Sequence, residues 1–318
     1  EDVLHRAKIG AAILPETQAY PDGADSETQT FIDYWFDSVN RVQLTSLAKV
    51  ISRLRDPAMR EIMWCAFSRL IITKKSGVSL AMDVSHSRPH KTYTNAPIKA
   101  FDHFQKSVTY IVKKAPFNTD SEDAPTASVQ NADARQLPIE DASVDMVITS
   151  PPYLNAIDYL RGHKLSLVWM GHSIKEIREL RATNVGTEVI MPADENEKEA
   201  ALVMQAMCDP EKLSKRHIGM LRQYIYDLRS LLSETKRVLR VEGKAVYVVG
   251  NCNLRDTFIE NSKGIEVLAQ QLGLEIRAIR RRPLPENRRY LPPPQALSSG
   301  VALSKRMREE VILTLIRN

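Results

Sequence analysis

The sequence predicts an α/β fold, a mostly parallel sheet with helices between its strands, preceded by a helical segment. Three observations carry that prediction. Up to about residue 111 the apolar residues recur at helical spacing. From 115 to 125 the run Ala-Pro-Phe-Asn-Thr-Asp-Ser-Glu-Asp-Ala-Pro interrupts them as a linker. Beyond it, short apolar runs alternate with amphipathic stripes, as strands and helices do in an α/β chain. Residues 1–124 are therefore read as a helical segment with its linker, and residues 125–318 as the α/β core.

In the first segment, Val39, Val42, Leu47, Val50, Ile51 and Leu54 form one helical stripe, Ile62, Ala66, Leu70 and Ile71 a second, and Ile98, Phe101, Phe104, Val108 and Ile111 a third. Pro89 breaks the basic stretch Ser85 to Lys91 between the last two. In the core, Val144, Met146, Val147 and Ile148 read as a buried strand that runs into Thr149-Ser150-Pro151-Pro152-Tyr153. The charged stretch 172–217 is longer than a crossover needs, and Pro192 to Glu199 reads as loop. It is either a surface insertion or a cap over a substrate site. Leu221, Tyr224, Leu228, Leu231, Leu232, Val238 and Leu239 form a long helix ending near Gly243, followed by a strand from Ala245 to Val249. Ile265, Leu268 and Leu272 form a helix closed by Gly273, and Leu274 to Ile279 and Val311 to Ile316 are two more strands.

Composition narrows the class. The chain has 318 residues, 43% hydrophobic and 26% charged, which suits a soluble globular protein. No apolar run approaches the roughly 20 residues that span a bilayer, so a membrane partner is not expected. Cys65, Cys208 and Cys252 have neither disulfide nor zinc spacing, and reduced thiols point to the cytoplasm. The net charge of +5 permits a nucleic-acid partner without demanding one. Its distribution is more telling: Arg277, Arg280, Arg281, Arg282, Arg288 and Arg289 crowd one segment, and Arg88, His90 and Lys91 make a smaller group. The first cluster would either track a phosphate backbone or guard a sheet edge against pairing.

The run Thr149 to Tyr153 carries the chemistry. Ligands bind at the carboxyl ends of strands in open α/β sheets. Two successive prolines fix the backbone and remove two N–H donors there, so the carbonyls point in set directions. At about 5% per residue type, this pentapeptide would arise by chance in such a chain with a probability of roughly 10⁻⁴.

It resembles motif IV of the S-adenosylmethionine-dependent DNA amino-methyltransferases, and the Thr-Ser-Pro-Pro-Tyr form is most associated with the N4-cytosine enzymes. Asn131-Ala132-Asp133-Ala134-Arg135-Gln136-Leu137-Pro138 is similar to motif III, whose acidic residue holds the cofactor adenine. The segment 226–251 is similar to the helix, turn and fifth strand of class I methyltransferases, and 308–316 to their last, antiparallel strand. The resemblance covers residues 126 to 318. It implies a class I, Rossmann-like sheet, incomplete in this chain, in which 125–318 is the catalytic core and 1–124 an insertion.

What the resemblance implies for the site is specific. Ser150, Pro151, Pro152 and Tyr153 would be catalytic, and Asp133, Ala134 and Thr149 would contact S-adenosylmethionine. An exocyclic base amine is a poor nucleophile because its lone pair is delocalised into the ring. The Ser150 hydroxyl and the Pro151 carbonyl could accept its two N–H groups and aim the lone pair at the sulfonium methyl, so positioning and dipoles do the catalysis. Tyr153 would stack on a base flipped out of double-stranded DNA. Asn155, Asp158 and Tyr159 would line the base pocket; Arg161, His163, Lys164, Arg88, Lys91, Arg281 and Arg282 would meet nucleic acid. No metal and no nucleophilic cysteine are required.

One element of the family pattern is missing. These enzymes hold the methionine part of the cofactor on a glycine-rich strand-to-helix turn, and none of the 12 glycines forms one. The turn is expected ahead of residue 1 or on a second polypeptide; loss of catalysis is the third explanation. N4-cytosine methylation is the leading reading. N6-adenine methylation and a non-catalytic DNA-binding or assembly subunit of a split enzyme are the alternatives.

Overall fold

The computed structural model describes residues 2–82, 84, 89–115, 127–154, 159–186, 197–254, 257–284 and 309–318. They divide into two compact units, Glu1–Ala127 with Asp158–Arg181, and Ser128–Ile157 with Ala182–Asn318. The predicted linker at 115–125 lies outside the described residues from 116 on, as does the 85–88 part of the basic stretch Ser85 to Lys91.

The first unit is helical, with α1 (Asp2–Ile13), α2 (Ser26–Trp35), α3 (Ser38–Ser52), α4 (Pro57–Ile71) and α5 (Ala100–Lys114). Three of these begin on an aspartate cap: Asp25 accepts from Thr28 N, Asp37 from Asn40 N, and Asp56 from Ala58 N, with Pro57 in the first turn. Between α4 and α5 the ribbon β1 (Ala81–Met82) pairs with β2 (His90–Lys91). After the Pro-Pro segment the chain returns to this unit as α6 (Tyr159–Leu167) and most of α7 (Ile174–Thr183). Leu165, Val168, Trp169 and Ile177 join its core, where Trp169 packs edge-on to Phe36. Gly162 makes the return possible, because a Cβ there would lie 2.6 Å from the Val84 carbonyl oxygen.

The second unit is mixed α/β. A partial sheet runs β3 (Val144–Thr149), β4 (Leu239–Gly250), β8 (Glu309–Arg317), β7 (Leu274–Pro283), flanked by α8 (Glu197–Met207), α9 (Lys215–Val238) and α10 (Asn261–Gln271). A small ribbon, β5 (Cys252–Leu254) with β6 (Thr257–Ile259), joins β4 to α10. Among the described residues only β3 and β4 are parallel, and β8 is antiparallel to both of its neighbours. The expected mostly parallel sheet is thus corrected to a mixed one among the described residues. Ala245, Tyr247, Val249, Leu313 and Leu315 share one core with Leu221, Tyr224, Leu228, Leu232, Ile265 and Leu268 of the helices. No helix of the described residues is long and apolar enough to cross a membrane.

Four further expectations change or hold in detail. β3 is not buried: Met146 is 52% and Ile148 72% exposed, because β4 is its only neighbour among the described residues and its outer face is uncovered. That face continues across the sheet as Ile148, Val246, Thr314 and Ala278 in register. α9 ends at Val238 rather than near Gly243. β4 starts immediately, and residues 240–243 bulge out between the pairings Val144↔Leu239 and Met146↔Lys244, with Glu242 at φ 62°. Glu197 to Glu199 open α8 rather than extend a loop, two acidic residues facing the positive helix end. The helix expected around Ile265 to Leu272 does end as predicted, with Gly273 left-handed at φ 73°.

Candidate functional site

β3 delivers Thr149-Ser150-Pro151-Pro152-Tyr153 to the carboxyl end of the parallel pair, with Thr149 in register with Tyr247 of β4. Ser150 is exposed, Pro151 buried, and Pro152 and Tyr153 half-buried. The Ser150 hydroxyl donates to the Val248 carbonyl across the pair, 2.9 Å away. With its one proton so used, its lone pairs are left to accept. The Tyr153 hydroxyl stands 3.3 Å from Ser150 Oγ and donates to Glu310 Oε1 at 3.4 Å. Glu310, the second residue of β8, is held in turn by the Arg282 guanidinium.

The end of β4 is fixed from the far side. Asn261 at the start of α10 donates to the Gly250 carbonyl at 2.8 Å, and Asn251 accepts from Ser262 N at 3.1 Å. Cys252 lies just beyond; burial pushes its thiol up to about 11, leaving it protonated and a poor nucleophile near neutral pH.

The loop carrying Asp133 is bound to α9 at two stations. Arg237 donates to Glu234 at 2.8 Å and Asp141 at 2.6 Å, and also to the Leu137 and Ile139 carbonyls. Arg135 reaches both Asp133 oxygens, Asp227 Oδ1 at 2.8 Å and the Thr183 carbonyl at 2.6 Å. Hydrogen bonds from Arg135 hold the Asp133 carboxyl below the usual carboxylate range, so it is ionised. The Asp133 side chain remains 48% exposed, and Ala134 is exposed beside it.

The second unit therefore contains Ser150 to Tyr153, Asp133, Ala134, Arg281 and Arg282. Tyr159, Arg161, His163 and Lys164 lie on α6 in the first unit, where Lys164 Nζ stands 5.1 Å from the centre of the Phe31 ring. Lys91, also in the first unit, sits 4.4 Å from the centre of the Tyr34 ring. Arg88, Asn155 and Asp158 are outside the described residues. Arg281 and Arg282 are more than half exposed while paired with Glu309 and Glu310 across the β7–β8 register.

Glu310, Arg135 as a contact, and Asp227 are not among the site residues that the sequence motifs mark. Asp227 left a signal: it falls on the same stripe of α9 as Tyr224 and Leu231 and is 2% exposed, and aspartates are rarely buried unless paired.

No protein-family model matches the chain. Over 51 residues it is 47% identical to the type II methyltransferase M.BsoBI of Geobacillus stearothermophilus, a stretch covering 16% of this chain and 10% of that one. By sequence it is similar to type II methyltransferases. M.AvaI of Nostoc sp. and of Anabaena variabilis, also named type II methyltransferases, are 26% identical over 154 residues, covering 42% of this chain and 32% of theirs. The chain thus spans a third or less of the length of these relatives. Among solved structures, a protein named as a DNA modification methylase from Thermus thermophilus aligns over 58% of this chain and 50% of its own, at 17% identity and a TM-score of 0.29. A second structure of that protein, in complex with S-adenosyl-L-methionine, aligns equally well.

Proposed function

We propose that this chain is the target-base half of a DNA methyltransferase that methylates the exocyclic N4 of cytosine in a flipped base, working in the cytoplasm. The supporting observation is the state of Ser150. Its proton is engaged by the Val248 carbonyl at 2.9 Å, so the oxygen presents acceptor lone pairs at the carboxyl end of the parallel pair. There Ser150 Oγ and the Pro151 carbonyl would accept the two amine protons and turn the nitrogen lone pair out of conjugation. The Tyr153 ring, set by its hydroxyl contacts to Ser150 and Glu310, would stack on the base. Attack at a ring carbon through a cysteine is disfavoured here, because the nearby Cys252 is a protonated thiol.

S-adenosylmethionine would supply an electrophilic methyl group. The residues present fit its adenosyl side. Arg135 meets both Asp133 oxygens through its amide, Nε and Nη2, with Nε shared between them, and the carboxylate is still 48% exposed, so its open edge would accept from an amino group. Ala134 and Thr149 would contact the cofactor beside it. The methionine side needs the glycine-rich turn that the sequence lacks. We place it on a further segment of the same protein or on a second polypeptide, added as a strand beside β3 to complete a class I, Rossmann-like sheet. The exposed Met146 and Ile148 support this, since parallel strands are ordinarily covered on both faces.

Double-stranded DNA would be the substrate, with Tyr159, Asn155 and Asp158 toward the base and Arg161, His163, Lys164, Arg88, Lys91, Arg281 and Arg282 toward phosphate. The test is transfer of labelled methyl from S-adenosylmethionine to unmethylated DNA by the protein with its native flanking sequence, followed by nucleoside mass analysis. N4-methylcytosine is expected. N6-methyladenine would keep the enzyme and change its base; 5-methylcytosine, or DNA binding without transfer, would overturn the proposal.

A further inference from the structure

Asp227 is a buried carboxylate on the inner face of α9 and has no role in the chemistry above. Its two oxygens point to different parts of the site. Oδ1 accepts from Arg135 Nη1 at 2.8 Å and from Gln223 Nε2 at 3.3 Å. Through Nε and Nη2 the same guanidinium grips Asp133 at 3.0 and 2.8 Å. Oδ2 accepts from the Gly186 amide at 3.0 Å. Gly186 is left-handed at φ 75°, and a Cβ built there would lie 3.8 Å from Pro152 and 3.7 Å from Tyr224. The turn at Gly186 is thus laid directly against the Pro-Pro segment.

We propose that Asp227 is the joint of the site: one oxygen holds the Asp133 loop through Arg135, and the other holds the Gly186 turn against Pro152. A single buried carboxylate then fixes both the cofactor-side acceptor and the amine-side turn, and Arg135 and Asp227 are positioning residues. Arginine is the residue type for this task, because its planar fork serves Asp133 and Asp227 at once, whereas a lysine ammonium is a single point on a flexible stem. Pairing with the two aspartates pushes the Arg135 pKa further up, so the fork stays charged at every pH where the protein is folded. The aspartate, buried and paired, would be left with an uncompensated charge if Arg135 were removed. The inference rests on the reading of Asp133 and of Pro151-Pro152 given under Proposed function.

The experiment is steady-state methyl transfer by the full protein carrying Asp227→Asn, Arg135→Lys, Asp133→Asn and the double variant Asp133→Asn with Arg135→Lys. Asp227→Asn keeps the shape and loses the charge. It is expected to raise KM for S-adenosylmethionine and to lower kcat, each about tenfold or more, because displacements near 1 Å are enough to slow an aligned reaction strongly. Arg135→Lys is expected to raise KM for the cofactor with a smaller loss in kcat, and the double variant to be no worse than Asp133→Asn alone. A residue that served only global stability would move neither ratio once folding is verified, and its effect would add to that of Asp133→Asn. Either of those results overturns the inference.

If Asp227→Asn fails to fold, the non-additivity of Arg135→Lys with Asp133→Asn decides. If the parent protein transfers no methyl group, the functional proposal fails, and the joint is read by amide hydrogen exchange instead. Arg135→Lys and Asp227→Asn must then both speed exchange in residues 131–137, and Asp227→Asn also in 183–186. Unchanged exchange in both loops overturns the joint as well.

Discussion

Replacing Ile148 with alanine separates two descriptions of β3. In the chain described here Ile148 is 72% exposed, so its side chain contributes little, and the substitution should change unfolding free energy by less than about 0.5 kcal/mol. If a strand and its helix cover this face in the complete protein, the change is larger. Ile→Ala removes three carbons, worth about 0.8 kcal/mol each when fully buried. With 72% of that burial still to be gained, the loss comes to about 1.7 kcal/mol. That is roughly a 15-fold weaker hold on the covering segment. The assay is urea unfolding of parent and variant, in the 318-residue chain and in a form joined to the proposed glycine-rich segment. A small change in the first, and one about 1.7 kcal/mol larger in the second, is expected. Equal small changes would refute the docking of a strand beside β3; equal large ones would mean that Ile148 is already buried.

Other outcomes follow from the same geometry. Leu313→Ala, at a fully buried position in the centre of the sheet, should lose about 2–5 kcal/mol in either form of the protein, measured by urea unfolding. Gly186→Ala forces a side chain into a left-handed residue and should cost about 1–2 kcal/mol, seen as a lowered Tm. Arg281→Gln should reduce the slope of log K for DNA against log salt by about 1, and an unchanged slope would remove Arg281 from the phosphate contacts. Because the Asp133 carboxyl is depressed, its stabilising contact is fully present above the ordinary carboxylate pKa of about 3.9 and fades as pH falls through its lower folded value. The stability gap between the parent and Asp133→Asn should therefore be flat from about pH 5 to 8 and shrink only in acid, which urea unfolding across pH would show.

Much of this was legible in the chain. The short run Val144 to Ile148 before two prolines placed β3 and the Ser150 turn, because proline cannot extend a strand and an apolar run of that length has few other fates. Gly273 marked the end of α10 for an equally local reason. What failed was non-local. The sequence Arg240-Val241-Glu242-Gly243 reads as a helix end, and only pairing with β3 turns it into a bulge. Whether β3 is buried depends on strands that the described residues do not supply. The ion pairs of Arg281 and Arg282 with Glu309 and Glu310 span 28 residues and depend on the β7–β8 register, which residue spacing does not reveal. Asp227 broke the apolar pattern of α9 visibly, but its partners on two separate loops could not be named from the pattern alone.

The most direct test of Ser150 and Tyr153 as an amine-methylating turn is single-turnover methyl transfer by the full protein, with DNA and S-adenosylmethionine saturating. Ser150→Ala should slow the chemical step by about 10²-fold or more while leaving DNA affinity within a few-fold, because the lost acceptor acts on the amine only as its lone pair turns toward the methyl group. Tyr153→Ala should slow it too and weaken base capture, with stacking worth about 1–3 kcal/mol. Transfer at the parent rate in Ser150→Ala would contradict the assignment of this turn as the site of methylation.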